Sequence, residues 1–166
     1  TVAPKKLLLT SKPNFLKLFL ICNNSSAVKS STLLEKNKLS KSFKKAKEEA
    51  LKSTFFRIKI GCIIVKGSKI LGRGVNIEKS HPKQKYLNKK YRGFNTKHSF
   101  VHAELNAVLS TNANLEGATI YIYREDNNGN LCCCKPCPAC EFVLRQVGIT
   151  TVYYTDYNKF IRADLI

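Results

Sequence analysis

Acidic residues are scarce in this chain. Eleven Asp and Glu stand against 29 Lys and Arg among 166 residues, for a formal net charge of +18. Solubility needs far less, so the imbalance implies an acidic partner: nucleic acid first, then a nucleotide pool or an anionic membrane surface. The plain alternative is a solvated lysine-rich face. The deficit is sharpest at the start, where residues 1–34 hold no acidic residue and no arginine but carry Lys5, Lys6, Lys12, Lys17 and Lys29 with many serines. Such a composition suits an organelle-targeting segment or a basic arm that contacts a partner.

Long apolar runs are missing as well. The stretch Phe15 to Ile21 is broken by Lys17 and falls far short of the ~20 residues that cross a bilayer, so no transmembrane helix is expected. No internal repeat is visible. A disulfide framework is also disfavoured: seven cysteines are an odd number, and five of them crowd together as Cys132, Cys133, Cys134, Cys137 and Cys140. Metal binding in a reducing, intracellular compartment accounts better for that crowding. With 43% hydrophobic and 24% charged residues, the chain otherwise has the balance of an ordinary globular domain.

Composition shifts once, near Leu39, dividing a basic segment 1–38 from a patterned, folded domain 39–166. Leu39, Phe43, Ala46 and Ala50 recur at helical spacing and predict a helix over Leu39 to Ser53. Phe55 to Val65 and Lys69 to Val75, rich in β-branched and aromatic residues and joined by Lys66-Gly67-Ser68, predict a hairpin. Glu78 to Ser99 lacks apolar periodicity and reads as a long basic loop. Its Lys83, Lys85, Lys89, Lys90 and Arg92 are candidate contacts to phosphate or nucleic acid. Tyr86, Tyr91 and Phe94 could stack bases between them or simply pin the loop. A helix over Val101 to Ser110, a strand over Ala118 to Tyr123, a turn at Asp126 to Gly129, a helix over Cys137 to Val147 capped by Gly148, and a strand over Thr150 to Tyr154 complete the pattern. The order predicts an α/β layered domain.

Two fragments carry chemistry: His102-Ala103-Glu104 and Pro136-Cys137-Pro138-Ala139-Cys140, each at the start of a predicted helix. A helix N-terminus lowers a cysteine's pKa and favours the thiolate that a metal requires. Cys137 and Cys140, three apart on a helix, can face one ion together. One His and two Cys leave a fourth tetrahedral position open for water, the arrangement of a catalytic zinc (Zn2+). Zinc acidifies that water, and Glu104 is the natural carrier for its proton. A C-x-x-C pair alone is also found in redox motifs and closed structural zinc sites; here Cys133 or Cys134 would be the fourth ligand of a closed site, which gives Glu104 no task.

These residues match the general signature of zinc deaminases, H-x-E followed by P-C-x-x-C. The sequence resembles the cytidine/deoxycytidylate deaminase superfamily through His102 to Leu109, Leu115 to Ile122, Pro136 to Cys140 and the stretch Gly148 to Tyr154. The likeness spans about Phe55 to Tyr154 and is greatest to the deoxycytidylate deaminases. It implies a three-layer fold with a mixed five-stranded sheet flanked by helices. It implies that Gly74-Val75-Asn76 is the family's Gly-x-Asn, with Asn76 binding the sugar, and that the Ala103 backbone amide holds the pyrimidine carbonyl. Self-association would be in keeping with the family. After Asn76 the family's small-residue phosphate loop is replaced by Ile77-Glu78-Lys79-Ser80-His81-Pro82, and Glu125 to Cys134 is longer than usual.

The resemblance implies hydrolytic deamination of cytosine, in a free nucleotide or in single-stranded nucleic acid. Adenosine in transfer RNA is the second substrate class, and a deaminase fold retained as a non-catalytic RNA-binding scaffold is the rival of another kind. Among lesser candidates, His81 and His98 could bind substrate, could join Cys22 or Cys62 in a second zinc site, or could be ordinary histidines. Cys62 reads as a small buried hydrophobe, and Asn76 has a plain alternative as a turn residue.

Overall fold

A computed structural model describes residues 33–55, 57–93, 99–157 and 159–165. Most of the segment 1–38, with Cys22, and also Phe94 and His98, lies outside the described residues. The elements run α1 (Leu33–Ala50), β1 (Lys59–Lys66), β2 (Lys69–Val75), β3 (Ile77–Ser80), α2 (Pro82–Arg92), β4 (Phe100–Val101), α3 (Ala103–Leu109), β5 (Thr119–Glu125), α4 (Pro138–Gln146), β6 (Thr151–Asp156) and β7 (Lys159–Asp164).

Strand alternation builds the layers. Along β1 and β5, successive side chains point to opposite faces, and both faces are covered. Ile63, Val65, Tyr121 and Tyr123 pack on Phe43, Ala46 and Ala50 of α1. Cys62, Ile64, Ile120 and Ile122 pack with residues of α3 and α4, among them Leu105, Val108, Val143 and Leu144. A sheet buried on both sides explains why these strands read as continuous apolar runs. The five-stranded sheet has the order β2-β1-β5-β6-β7. It is mixed: β5 and β6 are parallel, while β1–β2, β1–β5 and β6–β7 are antiparallel. Helix α4 is the crossover that a parallel pair demands.

Two glycines let the helices come close. A Cβ on Gly61 would strike the backbone of Ala46 and Ala50 in α1, and one on Gly74 would strike the backbone of Ala103 and Ala107 in α3. Gly74→Ala is therefore expected to destabilise the domain by about 1–3 kcal/mol, the usual cost of overpacking. Its thermal midpoint should fall; an unchanged midpoint would mean that α3 can step away from β2 without cost.

The structure corrects the sequence reading in four places. The segment read as a long basic loop contains β3 and the helix α2; β3 pairs with β4 as a separate ribbon. Start and stop of α2 are conventional: His81 caps it by accepting from the Lys83 amide, Pro82 opens it, and Gly93 closes it at φ 67°. Its inner face, however, is Gln84, Leu87 and Asn88, so a search for apolar periodicity passes over it. The strand β7 extends the sheet beyond the last expected strand, and Val101 belongs to β4 rather than to α3. Helix α1 also begins at Leu33, ahead of the expected Leu39.

A candidate zinc centre at two helix starts

His102 is the N-cap of α3 and Cys137 the N-cap of α4, with Pro138 opening the latter helix. The local sequence dictates both. His102 follows the short strand β4 and turns the chain into α3, while Pro138 sets the backbone angle of a first helical residue. The two caps converge: His102 Nδ1 lies 3.6 Å from Cys137 Sγ and 3.4 Å from Cys140 Sγ. A nitrogen at about 2.0–2.1 Å and a sulfur at about 2.3 Å from a tetrahedral zinc are about 3.6 Å apart, so the three donors fit that ion.

Among the described residues, His102, Cys137 and Cys140 form the one group able to hold a metal. Cys134 is turned elsewhere: it is buried, with its thiol 3.1 Å from Thr155 Oγ1 and donating to the Ile122 carbonyl. Neither Cys133 nor Cys134 joins the set, which leaves the three-donor arrangement of a catalytic zinc. His81 caps α2, and Cys62 is fully buried with its thiol donating to the Ala103 carbonyl at 3.0 Å.

The electrostatics suit a divalent cation. A hydrogen bond from the Cys140 thiol, opposed by burial and helped by His102, pushes the Cys137 thiol down to about 4. Cys140 carries the opposite effect, raised by sharing a proton with the Cys137 thiolate and by burial. A bound cation removes that second penalty, since a coordinating thiol is deprotonated outright. Glu104 is 6% exposed in the first turn of α3. Burial pushes its carboxyl above the usual range, against the pull of His102.

Several supporting bonds around the site escaped the sequence reading. Asn106 donates to the Val75 carbonyl at 2.9 Å, and the Cys62 thiol holds the first turn of α3 to β1. Fully buried Gln84 accepts from the His102 amide at 3.1 Å. Asn76, at the end of β2, bonds inward: Oδ1 accepts from the Ile60 amide and the Ser53 hydroxyl, and Nδ2 donates to the Ile58 carbonyl. Lys83, Lys85, Lys89 and Lys90 are exposed on α2, and Arg92 is half-buried at its end. No helix among the described residues is long and apolar enough to cross a membrane.

Comparison with known proteins agrees with this geometry. The family model of the cytidine and deoxycytidylate deaminase zinc-binding region matches residues 36–156. Among solved structures, the dCMP deaminase of the cyanophage S-TIM5 is similar at 25% identity and a TM-score of 0.50, over 70% of this chain and 80% of that one. The same phage enzyme in complex with dCMP and dUMP matches at 22% identity and a TM-score of 0.50, over 76% and 83% of the two chains. A cytidine deaminase from Burkholderia pseudomallei shares the fold at 20% identity and a TM-score of 0.52, over 75% and 91%. No curated protein matches the sequence. With the family model spanning most of its length and the His102, Cys137 and Cys140 donors assembled, the chain belongs to the cytidine and deoxycytidylate deaminase family and is a zinc-dependent hydrolytic deaminase.

Proposed function

We propose that the protein converts cytosine to uracil in a nucleotide of the deoxycytidylate type, with Glu104 as the proton carrier. The observation that carries this reading is a buried carboxylate in the first turn of α3, beside a three-donor metal group. The 25% identity to a phage dCMP deaminase supports the choice of nucleotide. When bound, zinc supplies the Lewis acidity that makes water a nucleophile at neutral pH. Glu104 then takes a proton from the attacking water and delivers it to the ring nitrogen. It passes the second proton to the departing amine, so that the C–N bond breaks, ammonia leaves and a carbonyl remains. The Ala103 amide, at the first position of α3 where no intrahelical acceptor exists, would hold the pyrimidine carbonyl. Asn76 directs one amide proton to Ile58 and has a second to offer the sugar.

A second substrate reading, cytosine within a single strand, is favoured by the outer face of α2. Lys83, Lys85, Lys89 and Lys90 are exposed there with no acidic residue on the helix, and Tyr86 is 58% exposed beside Lys90. Exposed aromatics among cations suit stacked bases and phosphates. The basic segment 1–38 would add to such a surface.

The test is to incubate zinc-loaded protein and its Glu104→Ala variant with deoxycytidylate, cytidine, a cytosine-containing single strand and an adenosine-containing RNA loop, following product by mass. Glu104-dependent conversion of deoxycytidylate is expected. Conversion of the strand alone would select the second reading, conversion of adenosine would replace both, and tight RNA binding without any turnover would indicate a scaffold. If a strand is bound through α2, changing its four exposed lysines to glutamine should flatten the log–log salt dependence of binding by about 2–3, at roughly 0.7 per phosphate contact.

A further inference from the structure

We propose that Gln84, backed by Asn88, is the positioning residue for the zinc ligand His102. The inner face of α2 carries a stripe of amides four residues apart, pressed against the strand–helix junction that presents the metal-binding ring. Gln84 is fully buried, and Asn88 is 5% exposed. Gln84 Oε1 accepts from the His102 backbone N–H at 3.1 Å, and Gln84 Nε2 donates to Asn88 Oδ1 at 3.0 Å. Arg92 also donates to Asn88 Oδ1, at 3.4 Å.

Burying a primary amide is costly unless its hydrogen bonds are made, and here each bond has a specific consequence. The N-cap residue of a short helix has an amide that no helical carbonyl reaches; at His102 that amide is taken by Gln84. An amide side chain can be turned end for end, and Asn88 decides which way, since its oxygen can accept only from the nitrogen of Gln84. The oxygen of Gln84 is thereby aimed at His102. The result holds the backbone of the cap, here at φ −76° and ψ 151°, and with it the direction in which the Cα–Cβ bond carries the ring towards the two thiols. Arg92 also lies 3.3 Å from His102 Nε2. When Nδ1 serves as a ligand the ring proton resides on Nε2, so this contact cannot be the hydrogen bond that orients the ring. Orientation falls to the backbone clamp.

The same helix touches the other half of the centre. Tyr91 stacks on Phe142 of α4, with centroids 4.4 Å apart and planes 25° from parallel. The element that holds His102 is thus registered against the helix that bears Cys137 and Cys140.

The test is zinc affinity, measured by competition with a chromophoric chelator, together with the thermal midpoint of the metal-free protein. Gln84→Met keeps length and burial but removes the acceptor; Asn88→Leu removes the orienting oxygen; Asn88→Asp keeps it. Leu87→Ala, a buried position on the same helix without a bond to His102, reports what loosening α2 does by itself. Gln84→Met is expected to weaken zinc binding about 10- to 100-fold, the usual cost of losing a partner behind a ligand, and Asn88→Leu to weaken it in the same direction. Asn88→Asp should bind zinc like the unaltered protein, and Leu87→Ala should lower the midpoint with little change in affinity. Unchanged affinity in Gln84→Met, or an equal loss in Leu87→Ala at a matched midpoint, would overturn the proposal.

Discussion

Glu104→Gln is expected to lower kcat by about 10²- to 10⁴-fold, the range that a positioned general acid–base contributes, while zinc content stays at that of the unaltered protein. Glutamine keeps the size and a hydrogen-bonding oxygen but cannot take up a proton. The carboxylate is not among the metal donors, so the ion has no reason to leave. The side chain is almost wholly buried, and a shape-preserving change there avoids the cavity that alanine would open. Turnover and zinc content measured on the same preparation separate the two effects. Zinc lost along with activity would make Glu104 part of the metal's support instead of a proton carrier.

Removing a ligand should do more. Cys137→Ala or His102→Ala takes one of three donors from a centre assembled at two helix caps. Zinc should be absent from the purified variant and turnover undetectable. Without the ion the attacking water returns from a pKa of about 7 towards 15.7, and that handicap exceeds the loss of the carboxylate alone. The fold should survive, because both core clusters lie on the faces of the sheet and are built from aliphatic and aromatic contacts. The variants should keep the secondary structure of the native protein, with a lower thermal midpoint reflecting the lost metal linkage. Treatment of the unaltered protein with a chelator should reproduce both changes, and added zinc should reverse them only there. A variant that loses its secondary structure together with the metal would give zinc a folding role that the core argues against.

The centre itself was legible because its chemistry is local. H-x-E and C-x-x-C each place their residues within one helical turn, and each stands where a strand or loop passes into a helix. The core helices and strands were legible for a related reason: Phe43, Ala46 and Ala50 face the sheet at helical spacing, and the apolar run of β1 is buried on both faces. What failed was the reading of amphipathic surfaces made from amides. On α2, Gln84 and Asn88 take positions that aliphatic side chains usually hold, so the helix looks like a basic loop although His81-Pro82 and Gly93 mark its ends. The edge strand β7 escaped because its alternation is weak, with Phe160, Ile161 and Ala163 only partly covered. The support behind the ligands was invisible for a different reason. That Gln84 meets the amide of His102 depends on how β3 and β4 fold α2 back, and no spacing in the sequence encodes that distance.

The separation of the ligands has a consequence in time. His102 and Cys137 are 35 residues apart and meet only through the sheet, with β5 threaded between them and β6 and β7 still to follow. At synthesis rates of about 5–20 residues per second, His102 waits roughly 2–7 seconds for its partners to be made. The donor set is therefore complete only after α1 to α3 and β1 to β5 have been made, unlike that of an ion that draws a short chain together. Until then, Cys137 and Cys140 are free thiols in a stretch of nine residues that holds three more, and their oxidation at that stage would cost the centre two of its three donors.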